Sequence, residues 1–179
     1  MDVYVSKRLF IVILLLILAG IMAYLAVPRL TGRSLAQVAG FDSGRAAAIA
    51  GVEAFYSVDY TESSDVWAAR LCALSSEPAC DFYQNTIMPY VWPEIVSTQT
   101  TVIAATNQVV KLADEVADTR DAEPMQVWKM NVSLSQSWPQ GDGQTEFPAY
   151  VLVVREKDSW KFERFLLNDE LVRYTGGEK

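Results

Sequence analysis

The run Leu9–Val27, LFIVILLLILAGIMAYLAV, carries no charged side chain and constrains this chain more than any other feature. At roughly 1.5 Å per helical residue it matches the ~30 Å hydrocarbon core of a bilayer. No water is available there to satisfy peptide groups, so a single segment has to cross as a helix. A cleaved secretory signal has an apolar core of about 7–15 residues and ends in small residues. Here Tyr24 stands where the small −3 residue would be for a cut after Ala26. The run therefore reads as an uncleaved signal anchor. Ala19 and Gly20, with Ala23 one helical turn beyond Ala19, form a small-residue pattern that lets membrane helices approach and self-associate.

The anchor sets the organisation expected for the rest. Residues 1–8 form a cytoplasmic leader, and Pro28 opens a stalk over 28–41. Residues 42–170 form one extracytoplasmic domain, and 171–179 a flexible tail of glycine and charge. Beyond residue 40 lie 11 of the 15 basic and 21 of the 22 acidic residues, so the domain is strongly acidic. Such a charge repels phosphate backbones, which argues against nucleic-acid binding.

Lys7 and Arg8 before the anchor are balanced by Arg29 and Arg33 after it, so the positive-inside rule does not orient the helix. The two cysteines, Cys72 and Cys80, have the wrong spacing for C-x-x-C redox chemistry, and the chain contains no histidine to complete a zinc site. They are either buried free thiols or a short-loop disulfide. The disulfide is the reading adopted, and it implies an N-in, C-out topology.

Asp42 or Ser43 caps a first helix over GRAAAIAGVEAFYSVDY. Ala46, Ile49, Val52 and Tyr56 form one apolar stripe, and Ala48, Val52 and Phe55 an adjacent one. Asp65 opens a second helix ending at Leu74, and DFYQNTIM is a short third one stopped by Pro89 and Pro93. From Ile95 to Val110 the chain is rich in branched residues and reads as strand. The run from Lys111 to Pro124 reads as an exposed strand end and a loop. MQVWKMNVSLSQSW alternates, with Trp128, Met130, Val132 and Leu134 on one face, as in a half-buried antiparallel strand. A turn at Gly141 and Gly143 leads to the apolar FPAYVLVV, and REKD turns the chain into WKFERFLL. The fold expected is α+β: an N-terminal transmembrane helix, then about three helices packed on a curved antiparallel sheet of three to four strands.

This element order, with the closing hairpin YVLVVREKDSWKFERFLL, resembles the cone-shaped fold of the nuclear transport factor 2 superfamily. A leader, one membrane helix and such a domain resemble two anchored branches. One is the inner-membrane assembly factor of type IV secretion and conjugation systems; the other is the accessory membrane protein of mycobacterial-type lipid importers. AFYSVDYTESSDVWAARLCAL, with Arg70-Leu71, is more similar to the conjugation branch of Gram-positive type.

Enzymes of that superfamily place a carboxylate base and a hydrogen-bonding acid in the cone, where apolar walls raise the carboxylate's pKa. The residues that resemblance selects are Tyr56, Asp59 and Tyr60, which would also line a pocket for an apolar ligand. The competing reading makes Asp59 a solvated or capping carboxylate and the tyrosines core. Trp138, beside a turn, suits a partner surface. No phosphate loop, nucleophile motif or metal-ligand cluster is present, and the acidic run Asp114, Glu115, Asp118, Asp121 and Glu123 lacks the spacing of a calcium loop. No cofactor is expected.

The function expected is a non-enzymatic scaffold that docks with envelope proteins of a secretion or conjugation machine and can self-associate. The alternatives are a binder of an apolar ligand such as lipid, and a cone-type enzyme.

Overall fold

The computed structural model describes residue 41 and residues 43–116 and 124–175. The chain divides into units 1–38 and 39–179, and everything described belongs to the second. The leader, the anchor Leu9–Val27 with Ala19, Gly20 and Ala23, and most of the stalk lie outside the described residues. Among the described residues no helix is long and apolar enough to cross a membrane.

Helix α1, Gly44–Tyr56, begins where the Ser43 hydroxyl accepts from the Ala46 N–H at 3.3 Å, satisfying one of the first turn's orphan amides. Its buried residues are Gly44, Ala47, Ala48, Gly51, Val52 and Ala54. Ala46 and Ile49, expected to be inside, are only half-buried. The buried face is the one without bulk, which brings the helix close to the sheet. A methyl at Gly51 would overlap the ring of Phe162, and one at Gly44 would press on the Gln126 amide and approach the Trp128 indole nitrogen. The helix also ends earlier than expected. Val58–Asp59 is not helical but forms β1.

The sheet has five strands rather than three or four, in the order β1 to β5, with every neighbouring pair antiparallel. After β1 come β2 (Thr101–Val116), β3 (Pro124–Trp138), β4 (Gly141–Glu156) and β5 (Ser159–Phe165). The alternation in β3 places Trp128, Met130, Val132 and Leu134 in the main core with Ala149, Val151 and Val153 of β4. α1 also guards an edge. Beyond β1, the Ala104 N–H of β2 donates to Ser57 Oγ at 3.1 Å, and the Thr106 N–H and hydroxyl donate to Glu53 Oε1 at 3.0 and 2.8 Å. These side chains supply the acceptors that a further strand would provide. On the other edge, Phe41 and Trp160 exchange two backbone hydrogen bonds, and the Ser76 N–H donates to the Phe162 carbonyl at 2.9 Å.

Helix α2, Ser64–Leu74, is capped by Ser63. Ser76 caps α3, Glu77–Phe82, which continues through a π turn, Tyr83–Ile87, into α4, Met88–Thr98. The prolines expected to stop this helix do not. The π turn closes with the Met88 N–H donating to the Tyr83 carbonyl, and Pro89 follows directly in the first turn of the α segment that starts there. α4 therefore takes Ile95–Thr98 out of the expected strand. It ends at Gln99 in the left-handed conformation, with the Thr100 N–H closing on the Ile95 carbonyl at 3.0 Å. Cys72 and Cys80 form the expected disulfide, tying α2 to α3 with their Cα atoms 4.7 Å apart.

The segment from 171, expected to fray, is helical instead: α5 is Asn168–Thr175. Leu171 and Tyr174 pack against Val127, Leu152 and Leu166, a second cluster on the other face of the sheet.

One pair of variants and one double replacement test this packing. Gly51→Ala should lower unfolding free energy by about 1–3 kcal/mol, overpacking outweighing the ~1 kcal/mol gain in helix propensity. Gly44→Ala should cost less in the same urea titration, because the Gln126 amide can turn aside. Replacing both cysteines by alanine should cost about 2–3 kcal/mol for so short a loop, read in the same way.

Candidate functional site

A groove of about 380 Å³ with apolar walls lies between α3 with its π turn on one side and the end of β5 on the other. Pro78, Ala79, Phe82, Tyr83 and Ile87 come from the helical side; Glu163, Arg164, Phe165 and Leu167 come from the strand side, and Phe55 of α1 from behind. The π turn shapes the first wall. The stripe of Ala79, Phe82, Tyr83 and Ile87, at i, i+3, i+4 and i+8, runs from α3 into that turn, so all four reach one groove.

The floor is an aromatic network. Phe55 lies 4.9 Å from Phe165 and 5.6 Å from Tyr83, ring centre to ring centre. Tyr83 stacks on Phe162 at 6.2 Å, and Phe162 meets Phe165 edge to face at 5.3 Å. Burial drives the Tyr83 hydroxyl's pKa far above the usual tyrosine range, with the Glu163 carboxylate adding to the effect. Its O–H donates to the Glu163 carbonyl at 3.4 Å. This phenol stays neutral throughout the physiological range.

At the rim, Arg164 is already engaged. Its two terminal nitrogens each donate to a different carboxylate oxygen of Glu170 at 2.6 Å, which holds the Glu170 pKa down and the Arg164 pKa up. Glu170 also accepts from the Leu167 N–H at 2.9 Å, so the same carboxylate fixes the corner between β5 and α5.

The residues singled out in the sequence are spread over several places. Tyr56 is half-buried, edge to face with Phe147 at 5.4 Å and Phe165 at 5.5 Å, and burial raises its pKa. It touches the floor of the groove from behind but is not part of its lining. Asp59 sits on β1, and its Oδ1 accepts from the Thr61 N–H at 2.9 Å and the Thr61 hydroxyl at 2.8 Å. Those two bonds pull its pKa below the ordinary carboxylate range, the opposite of what an apolar cone does to a general base. Tyr60 is exposed.

Trp138 is half-exposed at the end of β3, its ring lying over Gly143. It does not line the second depression, of about 310 Å³, which Thr101, Ile103, Ser135, Asp142 and Gln144 form with others on the sheet face opposite the main core. Of the acidic run, Asp114 accepts from Lys111 Nζ at 2.7 Å and from Gln126 Nε2 at 3.0 Å. Among the described residues no group of three or more His, Cys, Asp or Glu is arranged to hold a metal.

Sequence reasoning missed the groove itself. Ala79, Phe82, Tyr83 and Ile87 do follow one helical stripe, at i, i+3, i+4 and i+8, but the wall that faces them comes from β5, far along the chain.

No protein-family model matches the chain, and no curated protein matches it. Solved structures share its fold. The periplasmic domain of DotI aligns with a TM-score of 0.58 at 9% identity, covering 68% of this chain and 89% of that one. A periplasmic fragment of TraM aligns with a TM-score of 0.53 at 11% identity, covering 68% of this chain and 91% of that one.

The depressed carboxylates set the acid response. A group whose folded pKa lies below its unfolded value contributes stability that is complete above about pH 4–4.5 and disappears as pH falls through the folded pKa. These groups should therefore withdraw stability as pH falls below about pH 4, modestly because they are solvent-screened. In Asp59→Asn the slope of unfolding free energy against pH should be shallower in that window, measured by denaturant titrations at stepped pH.

Proposed function

We propose that this chain is a non-enzymatic, membrane-anchored docking component of an envelope-spanning secretion or conjugation machine. In this reading Leu9–Val27 is the anchor, the N-terminus is cytoplasmic, and residues 42–170 form an extracytoplasmic domain of the nuclear-transport-factor-2 type. The observation that supports it most is the fold shared along nearly the whole length of two periplasmic domains, TraM and DotI, both from conjugation or type IV secretion systems. Fold alone hosts many functions, so the site has to agree with it.

It does so in two respects. The groove offers apolar contact area with solvent-facing Phe82 and Leu167 at its rim, which suits capture of another protein's side chains. The carboxylate best placed for base chemistry by sequence, Asp59, has its charge stabilised by Thr61 and lines neither depression. A disulfide suits an oxidising compartment, and a tether raises the domain's effective concentration for neighbours at one membrane surface. Self-association through Ala19, Gly20 and Ala23 would multiply that effect.

One observation favours a second reading: the aromatic floor of the groove would also hold a small apolar ligand such as an acyl chain.

Crosslinking the full-length protein in its native membrane, followed by purification under denaturing conditions, separates the two. The docking role predicts recovery of a secretion ATPase and other envelope components. Recovery of the protein alone, or only as its own dimer, contradicts it and turns attention to the ligand.

A further inference from the structure

We propose that the groove between α3 and β5 receives a partner-protein segment that is apolar on one face and basic on the other. This rests on the docking role above and adds the chemistry of the partner.

The apolar half of the argument is the lining: Phe55, Phe82, Tyr83, Ile87, Phe165 and Leu167 converge on about 380 Å³. Phe82 and Leu167 remain 50% and 67% exposed, so two large apolar side chains on opposite walls stand in water with the cavity between them. The volume lies at the low end of the ~300–1,000 Å³ of small-molecule sites. It suits a few inserted side chains better than a whole lipid.

The basic half comes from charge. The helical run Glu77–Thr98 that builds one wall contains Glu77, Asp81 and Glu94 and neither Lys nor Arg. On the opposite wall Glu163 and Arg164 are one acid and one base, Arg164 is held by both oxygens of Glu170, and Arg173 lies near that carboxylate, so this wall is close to charge-balanced. The helical wall is the acidic side of the groove, within a domain that is acidic overall. A fatty-acid carboxylate or an anionic headgroup would meet like charge at this rim. A segment bearing Lys or Arg beside its apolar anchors meets opposite charge, which speeds encounter and selects against acidic competitors. The matching ligand is an amphipathic helix with anchors at three- and four-residue steps and cations along their flank.

The full chain in nanodiscs, used to select a displayed random peptide library, provides the test. Enriched peptides should combine apolar residues at helical spacing with net positive charge, and bind more weakly as salt is raised. Leu167→Ser and Asp81→Lys, both at exposed positions that leave the core intact, should each weaken binding of those peptides about tenfold. Thermal unfolding of each variant should match that of the parent. Enrichment of acidic or neutral peptides, binding insensitive to both substitutions, or failure to enrich any peptide would overturn the proposal. The native-membrane crosslink separates this failure from failure of the docking role. Envelope proteins recovered equally from Leu167→Ser leave the role standing and exclude the groove; none recovered from the parent removes the role itself.

Discussion

The contact between Gly51 of α1 and the ring of Phe162 on β5 governs the arrangement of the rest of the domain. Glycine in a helix interior costs about 1 kcal/mol relative to alanine, and here the lost methyl is replaced by an aromatic ring from the sheet. Because the helix lies that close, its own side chains reach the β2 edge, where Ser57 and Glu53 take up the free amides of Ala104 and Thr106. Phe162 then carries the contact outward. It stacks on Tyr83 and meets Phe165, the two rings that floor the groove. A helix set farther away would leave the edge open and the groove without a floor.

This dependence also explains what could be read in the sequence. The strict alternation of Trp128, Met130, Val132 and Leu134 reports one buried face, and the structure buries all four. Both expected hairpins form, although the first turns at Pro139-Gln140, and Gly141 and Gly143, expected in the turn, already pair with β3 as part of β4. The buried face of α1 was harder to read, since apolarity ranks Ile49 above Gly51 whereas the close approach to Phe162 demands the reverse. The run Ile95–Thr98 has branched side chains that favour strand, yet the helix restarted by the π turn carries through it to a left-handed cap at Gln99. Local preference lost to tertiary continuity in that case. The helical wall of the groove follows a legible stripe, Ala79, Phe82, Tyr83 and Ile87; what the sequence hides is that β5, far along the chain, supplies the facing wall.

Electrostatics and shape divide the work at the groove. The aromatic floor is rigid, because each ring is held by at least one other and by α1 behind it. The charges are arranged so that the sole arginine among the lining residues is spent on Glu170, which both neutralises it and fixes the turn into α5. α5 in turn covers Val127 and Leu152 on the far face of the sheet. A single ion pair thereby couples the rim of the groove to the packing of the second cluster. The opposite sheet face differs in kind. Around Ile103 it presents Ser, Thr and Gln side chains on a shallow surface.

The account's central claim is that this domain works by docking, and that the groove is where it docks. Site-specific photocrosslinking in the native membrane addresses both parts together. A photoreactive phenylalanine analogue at Phe82, on the groove wall, is compared with the same analogue at Ser135, exposed on the far sheet face. The account predicts a discrete crosslinked partner of the envelope machine from position 82 and none from position 135. A partner captured from 135 alone, or from neither position, would contradict it.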